Sequence, residues 1–178
     1  MSEIEVPIET VQEELHHKAV HSNDRMFSVA ALMSAGLAVF AAIAALLAGH
    51  HSNEAMIDQI KASDNWSYYQ AKGIKAAVLD GQKNLLEAMG KKYPERIDEK
   101  LAEYKKEQEE ISKSAKEKEE STEHHLRVHN TLAKSVTLFQ VAIALAAIAV
   151  LARKKFFLIV SGTFGVCGIY FFIIGLLL

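Results

Sequence analysis

The chain contains three long apolar blocks, and one long charged block separates the first of them from the other two. No Asp, Glu, Lys or Arg occurs in residues 26–48 or 156–178, and residues 131–152 contain Lys134 as their one charged residue. Residues 91–123, in contrast, are almost continuously charged. Because the apolar blocks have no polar face to turn toward water, the chain cannot fold around one aqueous core, and its surroundings must include lipid.

Each apolar block is long enough to cross a membrane as a helix, since about 20 helical residues cover the hydrocarbon core. Backbone groups in lipid must be satisfied within the segment, which selects helix, and no proline interrupts the three blocks. We therefore expect transmembrane helices at 26–48, 131–152 and 156–178. Residues 1–25 form an amphipathic segment before the first helix, and residues 153–155 connect the second helix to the third.

The short connection between the second and third blocks is basic, with Arg153, Lys154 and Lys155 in succession. Short basic loops remain on the cytoplasmic side of a membrane. This predicts a cytoplasmic amino terminus and places residues 49–130 outside the cytoplasm, in the periplasm of a bacterium. The acidic, polar start of the chain does not resemble a cleaved leader, so we expect the first block to be a retained anchor in the bacterial inner membrane.

The segment between the first two blocks contains one strong turn signal, at residues 90–94. Gly90 suits the position after a helix end, and Pro94 suits a helix start. The arms on either side, 53–89 and 95–130, have almost equal lengths, as an antiparallel hairpin between two membrane anchors requires. The pattern predicts a helix, a tight turn and a second helix.

The second arm has the alternating three- and four-residue apolar spacing of a coiled coil, interrupted by Gln108 and Lys118. The apolar positions are Ile97, Leu101, Tyr104, Ile111, Ala115 and Thr122. On the first arm, we expect the answering face to carry Ile57, Ile60, Ala71, Ile74, Val78 and Leu85. The predicted fold is therefore an all-α membrane protein with three transmembrane helices and a long antiparallel coiled-coil hairpin, residues 49–130, between the first and second.

A two-helix hairpin has little core for its length, and apolar surface left uncovered usually marks a contact. On this interpretation Trp66, Tyr69, Ala76 and Leu86 face away from the seam and need another partner. We therefore expect a homo-oligomer. Eight residues are the candidates for hairpin and oligomer packing: Trp66, Tyr69, Ile74, Leu86, Ile97, Leu101, Tyr104 and Ile111. Small residues in the apolar blocks, which let helices approach closely, support this expectation: Ser34, Ala38, Ala42, Gly162, Gly165 and Gly168.

Several stretches resemble a bacterial family described as domain of unknown function 4337 (DUF4337). The residues that carry the resemblance are Ala45–Ala55 (ALLAGHHSNEA) and Ser63–Lys72 (SDNWSYYQAK), followed by Val136–Ala144 (VTLFQVAIA) and the basic connection Arg153–Lys155. The resemblance covers nearly the whole chain. It implies a membrane protein with no assigned activity, and it supplies no catalytic residues.

All eight histidines lie beside the predicted membrane boundaries. They are His16, His17, His21, His50, His51, His124, His125 and His129. The last five lie on the hairpin side of the membrane, where they are candidates for divalent-metal binding or for charging together as the pH falls. The alternative is that these imidazoles sit at the lipid headgroup boundary as amphipathic side chains, and no metal-binding motif accompanies them.

The rest of the sequence argues against several classes of function. The formal net charge of −2 gives no footprint for nucleic acid, and the three blocks carry no ionisable residue at mid-span for a coupled carrier. Without a nucleotide loop or a nucleophile motif, we expect no enzyme and no cofactor. The first hypothesis is a homo-oligomeric structural or scaffolding protein whose partners are itself, the bilayer and an envelope protein. The second is an oligomeric channel or a pH or metal sensor that uses the histidines.

Overall fold

The computed structural model of the chain describes residues 25–178, and within that range the protein is helical without strands. Helix α1 spans Arg25–Ala88, α2 spans Arg96–Ala152 and α3 spans Lys155–Leu177. Each of the three is long and apolar enough to cross a membrane by length and composition. The prediction of an all-α chain with three such helices is confirmed. The amphipathic segment predicted at the amino terminus lies outside the described residues.

Two connections reverse the chain, and both use a residue with a left-handed backbone just after the helix end. At the end of α1, Gly90 has a φ of 67°, and the amide of Lys91 donates to the carbonyl of Leu86 at 2.9 Å. At the end of α2, Arg153 has a φ of 52°, and the amide of Lys154 donates to Ala149 at 3.3 Å. These bonds satisfy carbonyls that the helix leaves free at its carboxyl end, as in a Schellman motif.

The chain divides into two compact units, and the first consists of residues 25–51 and 127–178. Its core is built around Phe139, which is fully buried among side chains of all three helices. The Phe40 ring lies 6.1 Å from the Phe139 ring and 6.0 Å from that of Phe172. Aromatic rings at this separation make favourable offset or edge contacts in addition to the area they bury.

Small residues let α3 approach the other two helices of the first unit. A Cβ added to Gly168 would lie 2.6 Å from Phe139, and one added to Gly165 would lie 3.1 Å from Leu37. Ser135 donates to the carbonyl of Gly168 at 2.9 Å across the same contact. The small face predicted for association between copies is thus used within the chain at Gly165 and Gly168, whereas Gly162 has open space.

The second compact unit, residues 52–126, contains the remainder of α1 and α2. The two segments run antiparallel, because Asn65 pairs with Ser114 and Lys83 pairs with Asp98. The α2 positions with coiled-coil spacing are the ones that lie against α1, with Ala115 and Thr122 buried and four positions half-buried: Ile97, Leu101, Tyr104 and Ile111. Burial on this arm follows the predicted spacing, and the coiled coil itself stays a prediction.

The face of α1 that packs on α2 is the reverse of the predicted one. The residues turned toward α2 are buried or half-buried at alternating three- and four-residue intervals: Ala55, Asp58, Ala62, Asn65, Tyr69, Lys72, Ala76, Leu79, Lys83 and Leu86. We call this set the inner row. The α2 side chains reach the α1 backbone there, since the Gln108 amide donates to the Tyr69 carbonyl at 3.2 Å and lies 2.9 Å from a Cβ built on Gly73. Such a close approach favours small side chains over branched ones.

Candidate functional site

The most unusual surface of the second unit is a set of large aliphatic side chains on α1 that residues 25–178 leave exposed. Ile57, Ile60, Ile74, Val78 and Leu85 are between 40% and 66% exposed. They are also the residues that the sequence placed against α2, and the structure shows that this assignment was wrong. Exposed apolar side chains scattered singly are ordinary, but several of them on one face of a helix indicate a contact surface.

The spacing of this set is that of a coiled-coil seam. Steps of three and four residues lead from Ile57 to Ala88, and every position on the path is exposed: Ile57, Ile60, Asp64, Ser67, Ala71, Ile74, Val78, Gly81, Leu85 and Ala88. We call this set the outer row. Each member follows an inner-row residue by two positions, and two residues turn a helix by about 200°. The outer row therefore lies on the side of α1 opposite to α2.

The equivalent outward positions of α2 are all charged. Steps of three and four residues on that side of the helix give Glu99, Glu103, Lys106, Glu110, Lys113, Glu117 and Glu120, and each is exposed. We call this set the charged row. The Lys106 ammonium lies 4.0 Å from Glu110, and Lys113 lies 4.0 Å from Glu117, along the helix surface. Apolar surface on the second unit is thus concentrated on α1.

Polar contacts across the helix pair hold α1 in the rotation that turns its outer row outward. The Asp58 carboxylate is 5% exposed and accepts a hydrogen bond from the Lys118 ammonium at 3.0 Å. Hydrogen bonds from Ser121 and then from Lys118 lower the pKa of Asp58 to about 2. A buried carboxylate separated from its cation would cost far more than an exposed one, so rotating α1 is unfavourable.

Near the turn, a second ion pair also holds α1 in the rotation that turns its outer row outward. The Lys83 ammonium lies 2.6 Å from Asp98 and 4.7 Å from the centroid of the Tyr93 ring. Hydrogen bonds to Asp98 and then Tyr93 raise the pKa of Lys83, so the ammonium form is favoured by its surroundings. The spacing of the second arm marked Lys118 as a charged interruption of the seam, but nothing in the sequence indicated its partner Asp58. The Lys83–Asp98 pair could not be predicted either, because ionic residues occur throughout α2.

The candidate packing residues fall into two groups in the structure. Trp66, Tyr69 and Leu86 are half-buried on α1. The Trp66 indole donates to Glu119 at 2.8 Å, and its ring meets Tyr69 edge-on at 5.5 Å. These residues therefore pack within the helix pair and do not form the uncovered surface. Ile74 belongs to the other group, since it is 66% exposed in the outer row.

The structure places the juxtamembrane histidines on two helices without forming a metal-ligand group. His50 and His51 on α1 have ring centroids 5.5 Å apart, and His124 and His125 on α2 have centroids 5.6 Å apart. No group of three or more His, Cys, Asp or Glu side chains in residues 25–178 is arranged to hold a metal ion. The proposed metal or pH role of these residues stays a prediction, and His16, His17 and His21 lie outside the described range.

His129 has a defined partner within the first unit. Its Nδ1 lies 2.8 Å from the backbone carbonyl of Ala48, so the ring joins α2 to α1. Because a carbonyl only accepts, the contact is a hydrogen bond in the tautomer that carries a proton on Nδ1.

The first unit also has exposed apolar side chains on α1. With Gly36 between Leu32 and Val39, five of them stand at three- and four-residue intervals: Val29, Leu32, Val39, Ile43 and Leu46. In a membrane, lipid or another helix can cover such residues, so they identify no partner by themselves.

Comparison with known proteins identifies the family of the chain and does not assign it an activity. Residues 26–178 match the family described as Domain of unknown function (DUF4337). No curated protein and no solved structure matches the chain.

Proposed function

The chain belongs to the DUF4337 family, whose function is unknown, and from that premise we propose that it is a homo-oligomeric membrane protein with a structural or scaffolding role. Three helices able to cross a membrane supply the anchor. The outer row of α1 supplies the surface through which copies associate. This role requires no reaction, and we propose that the protein is not an enzyme.

The observation that carries the proposal is the exposure of Ile57, Ile60, Ile74, Val78 and Leu85 outside the apolar blocks. Complete burial of a side chain of this size is worth about 1.5–3 kcal/mol, and these partly covered side chains gain about half of that on association, before the cost of association is subtracted. Each copy carries the same exposed aliphatic side chains, so association between copies can bury them without a different protein. The coiled-coil spacing of the row indicates that the partner surface is a helix.

The mass of the full chain in mild detergent tests self-association directly. We expect more than one copy per particle by light scattering corrected for detergent. The double variant Ile74→Asn with Val78→Asn should shift particles toward single copies. As a matched control, Lys106→Asn with Glu110→Asn changes two exposed residues of the charged row and should leave the mass unaltered. Single copies of the unaltered chain at every protein concentration would remove the proposal.

We also propose that the chain lies in the bacterial inner membrane with residues 153–155 in the cytoplasm and residues 52–126 in the periplasm. The argument is the basic connection Arg153–Lys155. In a chain with Cys167→Ala, a cysteine at position 110 should react with a membrane-impermeant maleimide in intact spheroplasts. A cysteine at position 154 should react only after lysis. The opposite pattern of labelling would invert the orientation.

A further inference from the structure

We propose that the outer row of α1 binds the same row of a second copy of this chain, with the two α1 helices parallel and in register. Each residue of the row then faces its own counterpart, Ile74 against Ile74 of the second copy. The inference rests on the proposed self-association and specifies its geometry.

The first step is that the occupant of the row must be a helix with an apolar seam of its own. Outer-row residues recur every three and four positions from Ile57 to Ala88, which is the arrangement that accepts knobs from a facing helix. The row is also long, so a short ligand or a loop would cover a small part of it. A helix of comparable length can cover the whole outer row.

The second step excludes α2 of another copy as that helix. Its outward positions form the charged row, with five carboxylates and two ammonium groups in seven places: Glu99, Glu103, Lys106, Glu110, Lys113, Glu117 and Glu120. Packing aliphatic side chains onto this row would remove those charges from water without pairing most of them. The outer row of α1 has the right spacing and carries a single ionised side chain, Asp64, so α1 of the second copy is the better match.

The third step concerns direction. In the proposed function α1 begins with an apolar block that anchors the chain in the membrane. Copies inserted into one membrane share one orientation, so the α1 helices of two copies that pair along the outer row run in the same direction.

The fourth step is the charge beside the row. Among the positions that flank it in the second unit, the ionised side chains are Lys61 and Lys75. In a parallel, in-register pair, these flanks face Met56 and Gln70 of the second copy, so the lysines meet no like charge, and Asp64 against its own counterpart is the one pairing of like charges in this part of the interface. Flanking charges in coiled coils decide orientation and partner, and here they permit the parallel pair.

Disulfide formation between copies tests register. In a Cys167→Ala background, single cysteines replace Ile74 or Val78 in the outer row, and Lys113 in the charged row. Two Cα atoms must approach within about 7 Å to be bridged, which equivalent positions of a parallel seam satisfy. We expect oxidised membranes to give linked dimers of Ile74→Cys and Val78→Cys at least about tenfold faster than of Lys113→Cys. Lys113 is the more accessible side chain, at 81% against 66% for Ile74, so accessibility cannot produce that order.

Two further variants keep the test decisive. Ser67→Cys exchanges a hydroxyl for a thiol at an exposed row position and should link as Ile74→Cys does, even if loss of an aliphatic side chain disturbs folding. Co-expressed Ile60→Cys and Leu85→Cys chains should not link to one another, whereas an antiparallel pair would join them. An oligomer by mass in which the row cysteines fail to link overturns the register and leaves the proposed function standing. Single copies by mass overturn both.

Discussion

Arg153 holds a left-handed backbone that glycine adopts without steric cost. Its φ is 52°, whereas the next residue, Lys154, is extended with a φ of −117°. Replacing Arg153 by glycine should stabilise the chain by roughly 0.5–1 kcal/mol, because relief of about 1–2 kcal/mol is partly offset by the greater freedom of unfolded glycine. Unfolding by SDS in mixed micelles measures the change.

Lys154→Gly is the matched control for that variant, since it also removes one positive charge from the connection. Its extended backbone gains nothing from glycine, so we expect no stabilisation or a small loss. Equal effects of the two substitutions would show that charge, and not backbone conformation, determines the stability of this turn.

Gly168 lies where α3 meets the most buried ring of the first unit. Alanine there would place a Cβ 2.6 Å from Phe139, and Phe139 is fully buried, so the ring has little room to move. We expect Gly168→Ala to destabilise the chain by about 1–3 kcal/mol in the same unfolding titration. Gly162→Ala on the same helix meets nothing within 4 Å and should be neutral or slightly stabilising.

Asp64 is the one ionised residue within the outer row of the second unit. In the proposed register it faces Asp64 of the second copy, and like charges across a seam oppose association. Asp64→Asn should therefore tighten self-association by about three- to tenfold, measured as the concentration at which half of the chains are dimeric. Asp80→Asn, an exposed carboxylate outside the row, should have no effect. Weaker association of Asp64→Asn would count against the register.

Among the helical elements, the α1–α2 pair depends on a carboxylate that stays ionised in acid. The folded pKa of Asp58 is about 2, below its ordinary 3.8. Its contribution is therefore complete above about pH 4 and is lost as the pH falls toward 2. The free energy of unfolding, followed by circular dichroism on the full chain in micelles, should fall more steeply over that range for the native chain than for Asp58→Asn.

Glu110→Gln is the control for this acid dependence. Glu110 lies at the surface with Lys106 as its ion-pair partner at 4.0 Å, and exposed pairs of this kind contribute little. Its acid profile should follow that of the native chain. If Asp58→Asn also follows the native profile, the Asp58–Lys118 contact does not stabilise the pair.

The helices could be predicted from sequence because their causes are local. Gly90 follows the end of α1 as its type predicts, and the unbroken apolar blocks predict that each of the three helices contains a stretch long enough to cross a membrane. The turn at Arg153 gave no comparable signal, since arginine rarely adopts that conformation. The basic side chain of Arg153 indicated membrane orientation. Nothing in the sequence indicated that this residue has a positive φ.

The sequence showed the periodicity of α1, but it could not predict which face of this helix packs on α2. Two rows with the same spacing run along this helix two residues apart, and periodicity does not distinguish them. Hydrophobicity favoured the row with Ile57 and Ile74 for the interior. The decisive factors are the small size of Ala55 and Ala62, which permit close approach, and the pairing of Asp58 with Lys118. Both are properties of the helix pair and become visible only when the two helices are together.

For the whole molecule, membrane insertion is the premise of the proposed function. We expect the full chain to stay with the membrane fraction after extraction with alkaline carbonate and to require detergent for dispersion. Peripheral proteins are released by that treatment because they bury little surface in lipid, whereas each of the three apolar helices would have to enter water. Recovery of the folded chain in the carbonate supernatant would contradict insertion.

The charged row has a consequence for how far assembly can proceed. A contact between identical surfaces related by a two-fold axis uses up both surfaces and leaves no free end for growth. In the proposed pair, the face of α2 that still meets solvent carries five carboxylates and two ammonium groups from Glu99 to Glu120, which oppose further association. Neutralising all seven groups, five more than in the variant Lys106→Asn with Glu110→Asn, should let the pairs associate further through that face, measured as a rise in mass by light scattering.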